Sequence, residues 1–229
     1  MNLEEKTKVF FRDRFNYLLI LIVLLLLTAP FLRLEGNDDV FLFFYGLVFL
    51  VSNVLILKIM ISRASRFLTA AVFFTAVFIS DVTVKRLGAG WSAGVLILVD
   101  CVYVAFLMLF LHYLFRALFN EKKVTSDSIK GGICIYFLLG VLWGVIYRIL
   151  GFFDPSAFLF QAHAARNLFY FSYVTLTTVG YGDIVPVSLL AQTLAFMEAV
   201  TGQIFLAVFI ARLMGLHIAH VINRKDEQN

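Results

Sequence analysis

Long apolar runs, separated by short polar or charged stretches, set the pattern of this chain. A helix needs about 20 predominantly apolar residues to cross a hydrocarbon core of about 30 Å. Runs of that order fall at residues 17–34, 40–61, 67–84, 91–114, 129–150 and 188–216, the fourth continuing as an amphipathic stretch to Phe119. Between the last two lies a shorter helix-like run at 165–177, which leads into a glycine-rich hexapeptide at 178–183. The pattern predicts an all-α membrane protein with six transmembrane helices and a re-entrant helix and loop between the fifth and sixth. The most polar internal stretch, 121–128 (EKKVTSDS), is the expected boundary. It divides a four-helix domain at 1–125 from a second domain at 126–229.

Composition strengthens the membrane assignment. The chain has 229 residues, of which 62% are hydrophobic, and a mean hydropathy of +0.92. Soluble domains are nearer half apolar. The 26 phenylalanines suit helices that face lipid. The net charge of +4 is spread over loops instead of gathered in a stripe, which argues against nucleic acid as a partner. Cys101 and Cys134 both sit inside apolar segments and read as small buried residues, with no disulfide or metal spacing. No Ser-His-Asp set or metal-hydrolase constellation is present, so the chain is not expected to be an enzyme and needs no organic cofactor.

The distribution of Lys and Arg sets an orientation. Arg12 and Arg14 precede the first span, Arg63 and Arg66 follow the second, and Arg116, Lys122, Lys123 and Lys130 follow the fourth. Arg224 and Lys225 follow the last. All four groups fall on one side if both termini are cytoplasmic. Lys85 and Arg86 break the rule, and Asp81, one helical turn earlier, is a possible partner for Lys85.

The hexapeptide Thr178-Val179-Gly180-Tyr181-Gly182-Asp183 carries the chemistry. A dehydrated monovalent cation needs oxygen ligands in place of water, and a ring of backbone carbonyls supplies them. Successive carbonyls point the same way when the backbone alternates between right- and left-handed conformations. Gly180 and Gly182 permit that, having no Cβ to clash at positive φ. Thr178 adds a hydroxyl, Val179 and Tyr181 pack outside the ring, and Asp183 places a carboxylate at its mouth or behind it. One chain supplies one quarter of such a ring, so a pore needs four copies.

This hexapeptide, between two long apolar segments and after a short helix, resembles the selectivity filter of potassium channels. The resemblance implies an outer helix at 129–150, a pore helix at 165–177, the filter at 178–183 and an inner helix at 188–216. It implies K+ held by Thr178, Val179, Gly180 and Tyr181 in a homotetramer surrounded by lipid. Gly182, Asp183, Tyr170 and Phe171 would support the filter, the two aromatics either around the filter tyrosine or simply in interior packing. The pore helix would direct the negative end of its dipole at the cavity. Gly202 resembles an inner-helix hinge; a close helix contact is the other reading. Gln203, Leu206, Ile210 and Met214 share one helical face and form the expected pore lining, with a hydrophobic gate among the last three.

Six spans with a filter between the last two also resemble the voltage-gated architecture. A voltage sensor needs several arginines on the fourth span, each charge contributing about 2.3 kcal/mol per 100 mV. This span carries only His112 and Arg116. A channel without conventional voltage gating is expected, with gating left to the membrane, the filter, the first four spans or a separate regulatory subunit. Intramembrane charges mark further sites. Glu198 is expected to support the filter from behind, through Ser172 or Thr175 or by pairing with Arg148. Asp100 is expected to pair with Lys85 or Arg86, as a static bridge or a residual sensing site. His217 and His220 lie near the cytoplasmic mouth, as interfacial residues or a pH gate. Two other function classes stay open: a potassium uptake transporter subunit, and a non-conducting membrane sensor that keeps the pore fold. The expected setting is the cell membrane of a prokaryote.

Overall fold

A computed structural model describes residues 15–16, 18–20, 22–24, 93–120, 124–161 and 167–226. The spans expected at 40–61 and 67–84, and with them Asp81, Lys85 and Arg86, lie outside the described residues, as does most of 17–34. The chain divides into two compact units, Met1–Val99 and Asp100–Asn229. The second begins inside the expected four-helix domain. In the first, the described residues of the expected first span are helical.

The second unit takes in most of helix α1, Ala93–Phe119, which starts in the first. Helix α2, Ser126–Phe153, follows. It begins three residues before the expected start because Thr125 and Ser128 form a reciprocal cap. The Thr125 hydroxyl accepts the Ser128 N–H at 3.1 Å, and the Ser128 hydroxyl accepts the Thr125 N–H at 3.3 Å. The polar stretch read as a boundary therefore contains the first turn of a helix, and Asp127 lies favourably at its positive end. At the other end, Asp154 Oδ1 accepts the N–H and hydroxyl of Ser156, which turns the chain out of the helix.

Two three-residue strands come next in the fold, an addition to the all-α expectation. Strand β1, Phe158–Phe160, pairs antiparallel with β2, Ile184–Pro186, in the register Phe158 with Pro186, Leu159 with Val185 and Phe160 with Ile184. Between them lie the short helix α3, Leu168–Leu176, and the glycine-rich loop. Asn167 caps α3, its side chain accepting the Tyr170 N–H at 3.2 Å. Helix α4, Leu189–Asp226, is longer than the inner helix expected at 188–216. The Ser188 hydroxyl accepts the Ala191 N–H at its start. Among the described residues, three segments are long and apolar enough to cross a membrane: Asp100–Phe119, Ser126–Phe153 and Leu189–Ala219.

Helix α3 packs against both α2 and α4. In lipid, helix association relies on close packing and interhelical hydrogen bonds, because the surroundings are as apolar as the side chains. Trp143, Tyr147, Leu150, Phe158, Phe171 and Ile184 form a buried cluster. Within it Tyr147, Phe158 and Phe171 meet edge to face, with centroids 5.1–5.6 Å apart. Such ring pairs are worth about 0.5–1.5 kcal/mol each beyond burial. The cluster joins the end of α2, the strand pair and α3, and so fixes the loop that α3 feeds.

Candidate functional site: the filter loop and its support

The loop at 178–183 is held at both ends. At its start, four successive N–H groups turn back onto the end of α3. Thr177 donates to Tyr173 O at 3.0 Å, Thr178 to Thr175 O at 2.9 Å, and Val179 and Gly180 both to Val174 O. At its end, Gln161 clasps the chain twice: its N–H donates to Asp183 O and its side-chain amide to Gly182 O, both at 3.0 Å. The strand pair continues that anchorage.

Between the anchors the backbone alternates. Gly180 and Gly182 have φ of +59° and +77°, as expected of them, and Thr178 has +59°. A β-branched residue at positive φ is strained by about 1–3 kcal/mol. That feature was not legible in the sequence. The donors thus face α3, while the carbonyls of Thr178, Val179, Gly180 and Tyr181 accept no hydrogen bond among the described residues. Val179 and Tyr181 are 52% and 71% exposed in the single chain. Four successive carbonyls without partners, beside exposed apolar side chains, form a surface suited to oxygen-seeking cations and to neighbouring apolar surfaces.

The aromatic pair before the loop divides. Phe171 is buried with Tyr147 and Phe158, away from solvent. Tyr170 is partly exposed and reaches Asp183. Partial burial first, then the hydrogen bond to Asp183 and that residue's negative charge, raise the phenol pKa above its ordinary value.

Behind α3 the helices come close. The Tyr136 hydroxyl donates to Leu176 O at 3.2 Å, and the Tyr173 hydroxyl donates to Phe137 O at 2.8 Å. A Cβ on Gly140 would strike the Tyr173 ring, and one on Gly202 would strike the Leu176 carbonyl oxygen. Gly202 thus sits where α4 presses on the end of α3, the close-contact reading of that residue. Glu198, one turn earlier on the same face, is fully buried. Its Oε1 is 2.5 Å from the Ser172 hydroxyl and its Oε2 accepts the Tyr147 hydroxyl at 2.6 Å. Of the partners expected for Glu198, Ser172 is present; Tyr147 was missed.

Arg148 is directed at Asp100 in a bidentate ion pair, Nε to Oδ2 at 2.9 Å and Nη2 to Oδ1. This corrects the expectation that Arg148 serves Glu198; the partners expected for Asp100, Lys85 and Arg86, lie outside the described residues. The pair ties α1 to α2, and the Arg148 guanidinium also lies 6.0 Å from the Phe169 ring on α3.

On α4, Glu198, Gly202, Phe205 and Phe209 face the packed side, and all four are buried. Gln203, Ile210 and Met214 are exposed and Leu206 is half-buried, on the neighbouring face. His217 is exposed; the side chain of His220 lies outside the described residues. Lower down, the Arg212 guanidinium lies 4.7 Å from the Phe119 ring, and Phe115 meets Phe205 edge to face.

Two long helices flanking a short helix and a carbonyl-bearing loop are the layout of an ion-channel pore module, and residues 135–216 match the family model described as an ion channel. Three curated relatives that the chain matches in part are potassium channels. Two-pore potassium channel 4 of Arabidopsis thaliana is 40% identical over 112 residues, 47% of this chain and 37% of that protein. Inward rectifier potassium channel Kirbac3.1 of Paramagnetospirillum magnetotacticum is 32% identical over 74 residues, 32% of this chain and 24% of that protein. Two pore potassium channel a of Oryza sativa subsp. japonica is 29% identical over 98 residues, 43% of this chain and 26% of that protein. The chain therefore matches well under half the length of each of these relatives. No solved structure matches it significantly. These matches support a potassium-channel pore module in an integral membrane protein. Two plants and a bacterium supply the relatives, so they do not favour the prokaryotic setting expected above.

Proposed function

We propose that this chain is the subunit of a potassium-selective channel, four copies of which surround one axis. The carbonyls of Thr178, Val179, Gly180 and Tyr181 replace water around K+. Gly182, Asp183, Tyr170, Phe171 and Glu198 support them. Gly202, Gln203, Leu206, Ile210 and Met214 serve the inner helix, the last four lining the pore below the filter. Conduction is passive, without conventional voltage gating, and both termini are cytoplasmic.

The observation that carries this reading is the loop at 178–183. Its N–H groups are committed to α3 at one end, Gln161 holds it at the other, and four carbonyls in a backbone of alternating hand have no partner among the described residues. A carbonyl ring of that kind selects for an ion whose hydration it can replace.

The test is potassium and sodium flux into liposomes holding the purified protein, with its subunits counted, for wild type and Gly180→Asp. Wild type is expected to be a tetramer that passes potassium and rejects sodium, and the variant to lose that discrimination. A monomer, or equal passage of both ions by wild type, would overturn the reading.

A further inference from the structure

Ser172 Oγ carries one hydrogen and lies within reach of two oxygens, 2.8 Å from the Gly140 carbonyl and 2.5 Å from Glu198 Oε1. The Tyr147 hydroxyl is 2.6 Å from Glu198 Oε2. These are three oxygen–oxygen contacts in a row. A carbonyl oxygen can only accept, and so can both oxygens of an ionised carboxylate. If Glu198 were ionised, three contacts would share two hydrogens, and one contact would set lone pairs against lone pairs. A proton on Oε1 gives each contact one hydrogen. Tyr147 donates to Oε2, Oε1–H donates to Ser172, and Ser172 donates to Gly140.

The surroundings favour the same count. Glu198, Ser172 and Tyr147 are each fully buried. A carboxylate without a cation is costly there, and such a group takes a proton instead. No cation pairs with Glu198 among the described residues; the nearest in sequence to its partners, Arg148, is directed at Asp100. From α2, the titratable groups facing Glu198 are Tyr147 and, farther off, Tyr136. From α3 it meets Ser172, which does not titrate in this range.

We infer that Glu198 is held as a neutral carboxylic acid that donates a hydrogen bond to Ser172, and that this relay from α4 through α3 to α2 positions the pore helix behind the filter. Glu198 touches no ion; it is a positioning residue. What the relay serves rests on the proposed function, while the placement of the proton does not.

Infrared spectroscopy of the purified full chain at neutral pH tests the proton directly. With glutamate labelled with carbon-13, a protonated-carboxyl C=O stretch that shifts on labelling is expected. The other glutamates, Glu4, Glu5, Glu35, Glu121 and Glu227, all lie in polar stretches and supply carboxylate bands. The band should vanish in Glu198→Gln. In Ser172→Ala it should move to higher frequency, because the acid loses its acceptor. Labelled wild type and Ser172→Ala decide the matter even if Glu198→Gln fails to fold. Carboxylate bands alone in wild type, or a band that ignores Ser172→Ala, would overturn the inference. Thermal unfolding gives a second reading. Glu198→Gln can donate to Ser172 and accept from Tyr147, so it should keep the wild-type midpoint, while Glu198→Ala should lower it. Glu198→Gln falling as far as Glu198→Ala would contradict the relay. A protein that shows the band but passes no potassium sinks the proposed function alone, and a conducting protein without the band sinks the protonated acid alone.

Discussion

At residues 178–181 four carbonyls have no partner among the described residues and apolar side chains are exposed, whereas behind α3 Tyr147, Ser172 and Glu198 are fully buried and satisfy one another. The front region works through its backbone, and its side chains only permit the conformation. The rear region works through side chains, and its backbone is ordinary helix. Substitutions should therefore separate cleanly. Changes in front should alter selectivity with little loss of stability, and changes behind should alter stability first.

The largest expected effect is that of Gly180→Asp. Within the single chain a Cβ at Gly180 meets nothing within 4 Å, so inside the subunit the change costs the positive φ, about 1–2 kcal/mol. Potassium selectivity should be lost while thermal unfolding shifts modestly, as flux and a melting curve on the same preparation would show. A collapse in stability would break the contrast. Gly202→Val is its mirror. The backbone there is helical, but the new side chain meets the Leu176 carbonyl, and overpacking of this kind costs about 1–3 kcal/mol. Its melting midpoint should fall further than that of Gly180→Asp.

Gln161→Ala sharpens the picture from the far anchor. It removes one hydrogen bond, to Gly182 O, worth about 0.5–1.5 kcal/mol, while leaving the backbone bond to Asp183 O in place. Faster hydrogen exchange confined to the loop is expected, and unchanged exchange would show that the clasp contributes nothing. The smallest effect belongs to Asp100→Asn. Arg148 is 40% exposed and Asp100 13%, and the asparagine keeps an oxygen that can accept from the guanidinium, so the change should cost about 1 kcal/mol. A larger fall in the melting midpoint would mean that the charge itself, and not the hydrogen bond alone, carries the link between α1 and α2.

The same division explains what could be read from the sequence. The front was legible because its conformation demands particular residues in a row: glycines at 180 and 182, and a short helix between two long apolar runs. Positive φ at Thr178 was not, since no side-chain rule asks a threonine to adopt it. Behind α3, Ser172 could be named as a partner of Glu198, but Tyr147 is 51 residues away in an apolar run, and nothing in that run marks its hydroxyl. Asp100 and Arg148 are 48 residues apart, and nothing in the sequence marks them as a pair. The strands Phe158–Phe160 and Ile184–Pro186 are too short to show a period of two. Thr125 and Ser128 looked like linker because capping residues are polar by necessity.

Single-channel recording in a planar bilayer, with potassium on one side and sodium on the other, addresses the central claim most directly. If the carbonyls of residues 178–181 do the selecting, the current through wild type should reverse at a potential set by potassium, far from zero, and Gly180→Asp should bring it back to zero. Reversal near zero through the intact glycine loop would contradict the account.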